Sequence, residues 1–298
     1  MALSSRTSSS PATPPAAGFG IAGLQLALSP GNNLERIASE VASVARRFPW
    51  VKMVVAGELC GFGANTDLAQ CLPGDAEAFF CDLARKHGLW LVPGSLYERR
   101  GDTVFNTAPV IDPGGLVVGR HRKLFPFTPY ERNVAAGSEF LVFDVPEVGR
   151  FGVSICYDMW FPETTRSLCS LGAEVILHPT MTNTIDRDVE IAIARASAAT
   201  NQCYFVDVNV AGDLGSGRSV ICGPGGEVIH QAGSGREVMA FEVDMAYLRR
   251  SRNNGWHGLG QPLKSFRDNP VRYPAYDAAG AASEAFAQLG PLELPGRH

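Results

Sequence analysis

Cys156 ends an apolar run in the segment RFGVSICYDMWFPE, residues 150–163, at the point where a strand should stop. Pro162 and Glu163 then read as the first turn of a helix, where proline and an acidic residue are both favoured. A thiol at a helix N-terminus sits in a positive field that stabilises the thiolate, which suits a nucleophile. The residue also fits a small core position, since free cysteine is among the most buried residue types. A thiolate that attacks a carbonyl needs a base, donors for the oxyanion and a proton for the leaving group.

Three segments offer that help. Glu58 follows the apolar run 51–56, and ligand sites collect at strand ends in α/β folds. Apolar neighbours would raise its pKa toward neutrality and suit it to acid/base work; otherwise it is a solvated strand-end carboxylate. Lys123 closes His121-Arg122-Lys123 before the loop Leu124-Phe125-Pro126-Phe127. Among aromatics its ammonium could face an oxyanion, or it could end a solvated basic strand. Glu131, in Tyr130-Glu131-Arg132, could place a second carboxylate near that lysine or lie in a polar surface loop. His178 ends a strand and could pair with the cysteine as a base, but a hydrogen-bonded structural histidine is the simpler reading. There is no G-x-S-x-G elbow with triad partners and no phosphate-binding G-K-[ST] loop. The six histidines lack metal-ligand spacing, so no metal site is expected.

The elements that must position these residues alternate. Strands are expected at 20–28, 51–56, 89–96, 104–111, 116–121, 140–145, 151–156, 175–178, 204–209, 219–222, 228–231 and 238–243. Helices are expected at 33–47, 74–87, 162–171 and 188–201. Asn33 should cap the first helix, and Gly88 should stop the second. Asp112-Pro113-Gly114-Gly115 and Gly223-Pro224-Gly225-Gly226 are hairpin turns. The pattern is an α/β domain whose sheets carry helices on their outer faces.

The bulk properties close off other classes. The chain has 298 residues, a net charge of −4 and 45% hydrophobic residues, enough for a large core and with no basic block for nucleic acid. No apolar run is long enough for a membrane helix. Seven cysteines without CxxC spacing point to reduced thiols and a cytoplasmic setting. Residues 1–18 have no apolar signal core and read as a disordered leader. The segment from about Arg252, rich in Gly, Pro and Arg, reads as an extended tail over 251–298 that packs on a neighbouring subunit.

Glu58 in GEL, Lys123 in HRK and Cys156 in GVSICYD, in that order, resemble the Glu-Lys-Cys triad of the nitrilase superfamily of carbon–nitrogen hydrolases. The resemblance covers about residues 19–250 and extends through NTAPVIDPGGLVVGRHRK, RASAATNQCYFVDVN and GRSVICGPGGEVI. It implies a four-layer αββα sandwich and a homodimer or higher homo-oligomer. It implies Cys156 as nucleophile, Glu58 as general base, Lys123 and the Tyr157 backbone N–H as oxyanion donors, and Glu131 as a supporting carboxylate. Cys156-Tyr157-Asp158 resembles the amidase and carbamoylase branches, whereas nitrilases typically read Cys-Trp-Glu. The expectation is therefore hydrolysis of a small carboxamide, through a thioester and without metal or organic cofactor. The alternatives are a carbamoyl (ureido) substrate, a nitrile, or a non-catalytic scaffold. Tyr130, Trp160, Phe161, Thr180 and Met181 are the candidate pocket residues, with Phe127, Pro179, Asn183 and Thr184 nearby. Arg187 could clasp a substrate carboxylate or simply be solvated.

Overall fold

A computed structural model describes residues 18–128, 130–277 and 283–293. In chain order the strands are β1 (Phe19–Gln25), β2 (Ala27–Leu28), β3 (Val51–Ala56), β4 (Trp90–Val92), β5 (Leu96–Arg100), β6 (Thr103–Ile111), β7 (Val117–Arg122), β8 (Leu141–Val145), β9 (Gly149–Val153), β10 (Val175–Thr180), β11 (Tyr204–Asn209), β12 (Ala211–Gly212), β13 (Val220–Cys222), β14 (Val228–Gln231) and β15 (Glu237–Val243). The main helices are α1 (Leu34–Arg47), α2 (Asp75–His87), α3 (Pro162–Ser170), α4 (Arg187–Asn201), α5 (Met245–Asn254) and α6 (Pro262–Asp268).

The strands form two large sheets. One runs β15-β1-β3-β4-β6-β5 with β7 beside β6, and the other runs β14-β13-β11-β10-β9-β8. The centres of both are parallel, β1 with β3 and β4, and β9 with β10 and β11. The strands there are apolar on both faces, as parallel strands between layers must be. Phe19, Ile21, Met53 and Val55 meet Phe151, Val153, Leu177 and Val206 in the layer between the sheets. Ile37, Val41 and Val44 of α1 and Phe80 and Leu83 of α2 cover the outer face of the first sheet. Ile191, Ala194 and Ala198 of α4 cover that of the second, with Leu168 of α3. The result is the expected four-layer αββα sandwich.

Local chemistry sets the boundaries. Gly88 takes φ +61° and ends α2, and Asp112 Oδ1 accepts the Gly114 and Leu116 amides in the hairpin between β6 and β7. Asn33 does precede α1, but its side chain donates to the Ser29 and Gly31 carbonyls, and Asn32 accepts the Leu34 amide instead. The expected strand 20–28 is broken after Gln25. The expected strand 89–96 turns at Pro93-Gly94, so that β5 pairs with β6 rather than extending β4.

The leader expected at 1–18 falls almost wholly outside the described residues, as do 278–282 and 294–298 of the expected tail. What is described there is not simply extended. Helix α6 lies against α4, the Leu263 amide bonds Gln202 Oε1 at 3.4 Å, and the Tyr276 hydroxyl donates to Glu163 at 2.6 Å. No helix among the described residues is long and apolar enough to cross a membrane.

Gly94 packs closely against the Gly57 carbonyl, next to Glu58. It has φ +83°, and a Cβ there would stand 1.8 Å from the Gly57 carbonyl oxygen. Gly94→Ala should therefore lower stability by about 2 kcal/mol or more, from backbone strain plus overpacking. Urea denaturation checks this, and an unchanged midpoint would refute the close-approach argument.

Candidate active site

Each candidate side chain leaves the end of a strand. Glu58 follows β3, Lys123 follows β7, Cys156 lies three residues past β9, and Thr182 lies two past β10. The backbone stitches these ends together. The Glu58 amide donates to the Thr180 carbonyl of the other sheet at 3.1 Å, and the Lys123 amide donates to the Asn106 carbonyl at 2.8 Å. Cys156 opens a 3-10 turn, Cys156–Trp160, with φ +46°, a left-handed conformation unusual for a residue with a Cβ.

The centre is an ammonium between two carboxylates. Lys123 Nζ lies 2.8 Å from Glu58 Oε1 and 2.8 Å from Glu131 Oε2. Asn106 Nδ2 donates to Glu58 Oε1 at 2.8 Å and reaches Glu131 Oε1 at 3.4 Å. Glu131 also accepts the Tyr97 hydroxyl at 3.2 Å and the Phe127 amide at 2.6 Å. Glu58 and Lys123 are each 2% exposed, so the pair survives only through such hydrogen bonds.

Burial separates the two carboxyls. It raises the Glu58 pKa, against the opposing pull of Lys123, and the Glu131 charge adds to the rise. Burial also works to raise Glu131, but Lys123, the Phe127 amide and the Tyr97 hydroxyl outweigh it and hold this group below the ordinary value. Glu58 is thus the carboxyl that takes up a proton more readily, while Glu131 stays ionised beside the lysine. Burial opposes the Lys123 charge, yet Glu58 first, and Glu131 with it, pull its pKa up and the ammonium is held.

Cys156 corrects one expectation. A lowered thiol pKa was expected from the helix that follows. Burial first, and the Glu58 charge second, instead push it well above its usual value, while Lys123 only partly offsets them. Pro162 begins α3 six residues after the cysteine, too far for an effect that fades within one turn. The resting group is a neutral thiol, so its activation must come from a base that accepts its proton. The Tyr157 amide lies in the first turn after the elbow, where N–H groups lack helical acceptors.

Asp158 joins the cysteine elbow to the lysine loop. Its Oδ2 accepts the Ile155 amide at 2.9 Å and lies 3.0 Å from His121 Nε2, and its Oδ1 accepts the Phe125 amide at 2.9 Å. Thr182 Oγ1 lies 4.0 Å from Cys156 Sγ and donates to Glu190 Oε1 at 2.9 Å.

These groups open into a cavity of about 440 Å³. Tyr130, Trp160 and Met181 line it as expected, together with Phe127, Asn183 and Thr184. Phe161 and Thr180 do not. The Phe161 ring stacks on Phe125 with centroids 3.6 Å apart, and Thr180 is buried at the end of β10, with its carbonyl bonded to the Glu58 and Val210 amides. Pro179 is likewise buried within β10.

Arg187 is neither solvated nor free to clasp a carboxylate. It is 2% exposed and donates to Glu190 at 3.0 Å, Asp207 at 2.5 Å and the Arg218 carbonyl at 2.9 Å. His178 is the structural histidine: its Nδ1 lies 2.7 Å from Ser154 Oγ, and burial lowers its pKa to about 4. No group of metal-ligating side chains occurs among the described residues, and all seven cysteines are free. Sequence reasoning missed Tyr97, Asn106, Asp158, Thr182 and Glu190 as members of this cluster. Asn106 had the clearest signal, as a polar residue inside the apolar strand β6.

The carbon-nitrogen hydrolase family model matches residues 19–253. A nitrilase of Pyrococcus abyssi is 31% identical over 260 residues, covering 83% of this chain and 94% of that protein. Omega-amidase NIT2-A of Xenopus laevis is 29% identical over 201 residues, covering 62% and 72%. The crystal structure of Saccharomyces cerevisiae Nit3, a member of branch 10 of the nitrilase superfamily, superposes with a TM-score of 0.73 at 28% identity. It covers 79% of this chain and 93% of its own.

Lys123→Met should leave two buried carboxyls with no cation between them, at a cost of about 3–5 kcal/mol at neutral pH. Without the ammonium, the folded-state carboxyl pKa values rise above their unfolded values. The penalty is then full above the folded pKa and shrinks as pH falls and one group takes a proton. Denaturant unfolding at pH 8 and pH 5 should show the deficit narrowing at pH 5; an equal deficit at both would contradict the arrangement.

Proposed function

The chain belongs to the carbon–nitrogen hydrolase family of the nitrilase superfamily, and we propose that it is a cysteine-dependent amidase that hydrolyses a small carboxamide through a thioester. As a member it is a hydrolase acting on carbon–nitrogen bonds other than peptide bonds. The observation that carries the proposal is the buried Lys123 ammonium, which bridges Glu58 and Glu131 in the cavity that also holds the Cys156 thiol.

Glu58 takes the Cys156 proton as sulfur attacks the amide carbon, so no free thiolate has to persist at a site where burial disfavours it. The oxyanion that forms is met by the Lys123 ammonium and the Tyr157 amide. Removing a single such donor typically costs about 3 kcal/mol of transition-state stabilisation. Protonated Glu58 then gives its proton to the departing ammonia, which leaves a thioester on Cys156. Glu58 next takes a proton from water, hydroxide adds to the thioester, and the carboxylic acid leaves as the thiol is reprotonated. Glu131 holds Lys123 in place and stays ionised throughout.

The omega-amidase and nitrilase names among the relatives support carbon–nitrogen chemistry at this thiol. Release of ammonia and acid from a panel of amides, ureido acids and nitriles separates the readings. Turnover of amides supports the proposal; turnover of nitriles alone would overturn it. Cys156→Ala should reduce amide turnover to background with an unchanged unfolding midpoint, and retained activity would sink the mechanism.

The pH profile gives a second test. Glu58 must be ionised to act as base, so kcat/KM should fall on the acid side with a midpoint above the ordinary 4.5. Glu131→Gln removes a charge that raises Glu58 and should move that limb to lower pH. It should also cost roughly tenfold or more in kcat, because Lys123 loses an anchor. A limb that stays in place would argue against Glu58 as the titrating base.

A further inference from the structure

The charges around the cavity are one-sided. Four carboxyl groups line it, those of Glu58, Glu131, Asp186 and Glu190, against one ammonium, that of Lys123. Lys123 already donates to two of these carboxylates. Arg187 lies behind the wall, 2% exposed, and is balanced by Glu190 and Asp207. Arg132 lines a second recess beside the first and is itself engaged by neighbouring groups.

Asp186 sits at the N-terminal end of α4, but its side chain does not cap it; among the described residues its carboxylate accepts the Thr184 hydroxyl, at 3.4 Å. Asp188 and Glu190 in the first turn of that helix are paired with Arg218 and Arg187, whereas Asp186 faces the cavity without an arginine or lysine among its bonds to the described residues. Aromatic rings form one side of the remaining wall. Phe127 stacks on Tyr130 with centroids 5.0 Å apart, and Tyr157 lies 5.0 Å from Phe127 and 6.1 Å from Trp160. Ring faces attract cations, and the attraction grows where water is excluded.

We infer that this cavity selects amides whose far end carries a positive charge, an ammonium or guanidinium, over amides that end in a carboxylate. Asp186 and the Tyr157–Trp160 wall receive the charge. The inference rests on the amidase reading for its reaction but not for its charge preference, and the two are tested separately.

The charge preference is read without turnover. Cys156 is offered 2-aminoethyl and 2-sulfonatoethyl methanethiosulfonate, each of which forms a mixed disulfide with the thiol and releases methanesulfinate. Peptide mapping scores the adduct at Cys156 apart from the exposed Cys71. Each rate is divided by that with a free small thiol. The cation-to-anion ratio should be about tenfold and should shrink as salt is added. A ratio of threefold or less would overturn the inference whatever the enzyme hydrolyses. Asp186→Asn should lower the ratio at least threefold, and an unchanged ratio would remove Asp186 from it.

The substrate class is read with three amides of matched length: 5-aminopentanamide, hexanamide and glutaramate. The expected order of kcat/KM is cation, neutral, anion, with about tenfold between the ends. An equal or reversed order with active enzyme overturns the inference and leaves the amidase reading standing. A tenfold thiol preference with no amide turned over overturns the amidase reading and, with it, the substrate class.

Discussion

The buried Lys123 ammonium is the constraint on which the rest of the site depends. It lies within 2.8 Å of two carboxylates from different segments, Glu58 after β3 and Glu131 in the loop after β7. Two carboxylates this close in a low-dielectric interior repel, and a cation between them lets both be buried without one taking a proton. The lysine, in turn, stays charged only because they are there. The three groups are therefore one electrostatic unit, and the asymmetry of its carboxyls follows from what surrounds each. Glu131 receives a backbone amide and a tyrosine hydroxyl and stays ionised. Glu58 receives less help against burial and is left as the group that can exchange a proton.

The cysteine is dependent in the same way. Burial makes its thiol a poor acid, so in the proposed mechanism its reactivity is borrowed from Glu58. Asp158 keeps that coupling in register, since one carboxylate binds amides on both the cysteine elbow and the lysine loop. It is a single clamp on two catalytic segments, and it comes within two residues of the nucleophile in sequence.

Much of this was legible in the chain, and for identifiable reasons. The strands and helices are punctuated by Gly, Pro and Asp turns, as at Asp112–Gly115 and Gly88, and their alternation marks two sheets between helices. Glu58, Lys123 and Cys156 stood out as reactive groups at the ends of apolar or strand-like runs, but each local reading stayed open until the resemblance set the three together. The failures share another cause. The sign of the Cys156 shift depends on depth and on a carboxylate 98 residues away in the sequence, neither of which a local helix signal reveals. Phe161 and Thr180 were assigned to the pocket from proximity in sequence. Which way a loop side chain turns is decided by partners such as Phe125, and these come from another sheet. Arg187 looked like a surface cation because nothing in its own helix announces Asp207, a residue of the neighbouring strand β11.

The bond from the Glu58 amide to the Thr180 carbonyl crosses from one sheet to the other. Cys156 and Glu58 thus belong to different slabs, and the gap between them is set by the thickness of the layer that Phe19, Phe151 and Val206 fill. The core acts as a spacer as well as a source of stability. A methylene gained or lost there alters reach at the reacting atoms. The side chains of Tyr130, Asn183, Thr184 and Asp186, by contrast, line the cavity without holding Lys123. In this architecture the core sets the spacing of the thiol and the carboxyl, and the rim supplies the rest of the lining.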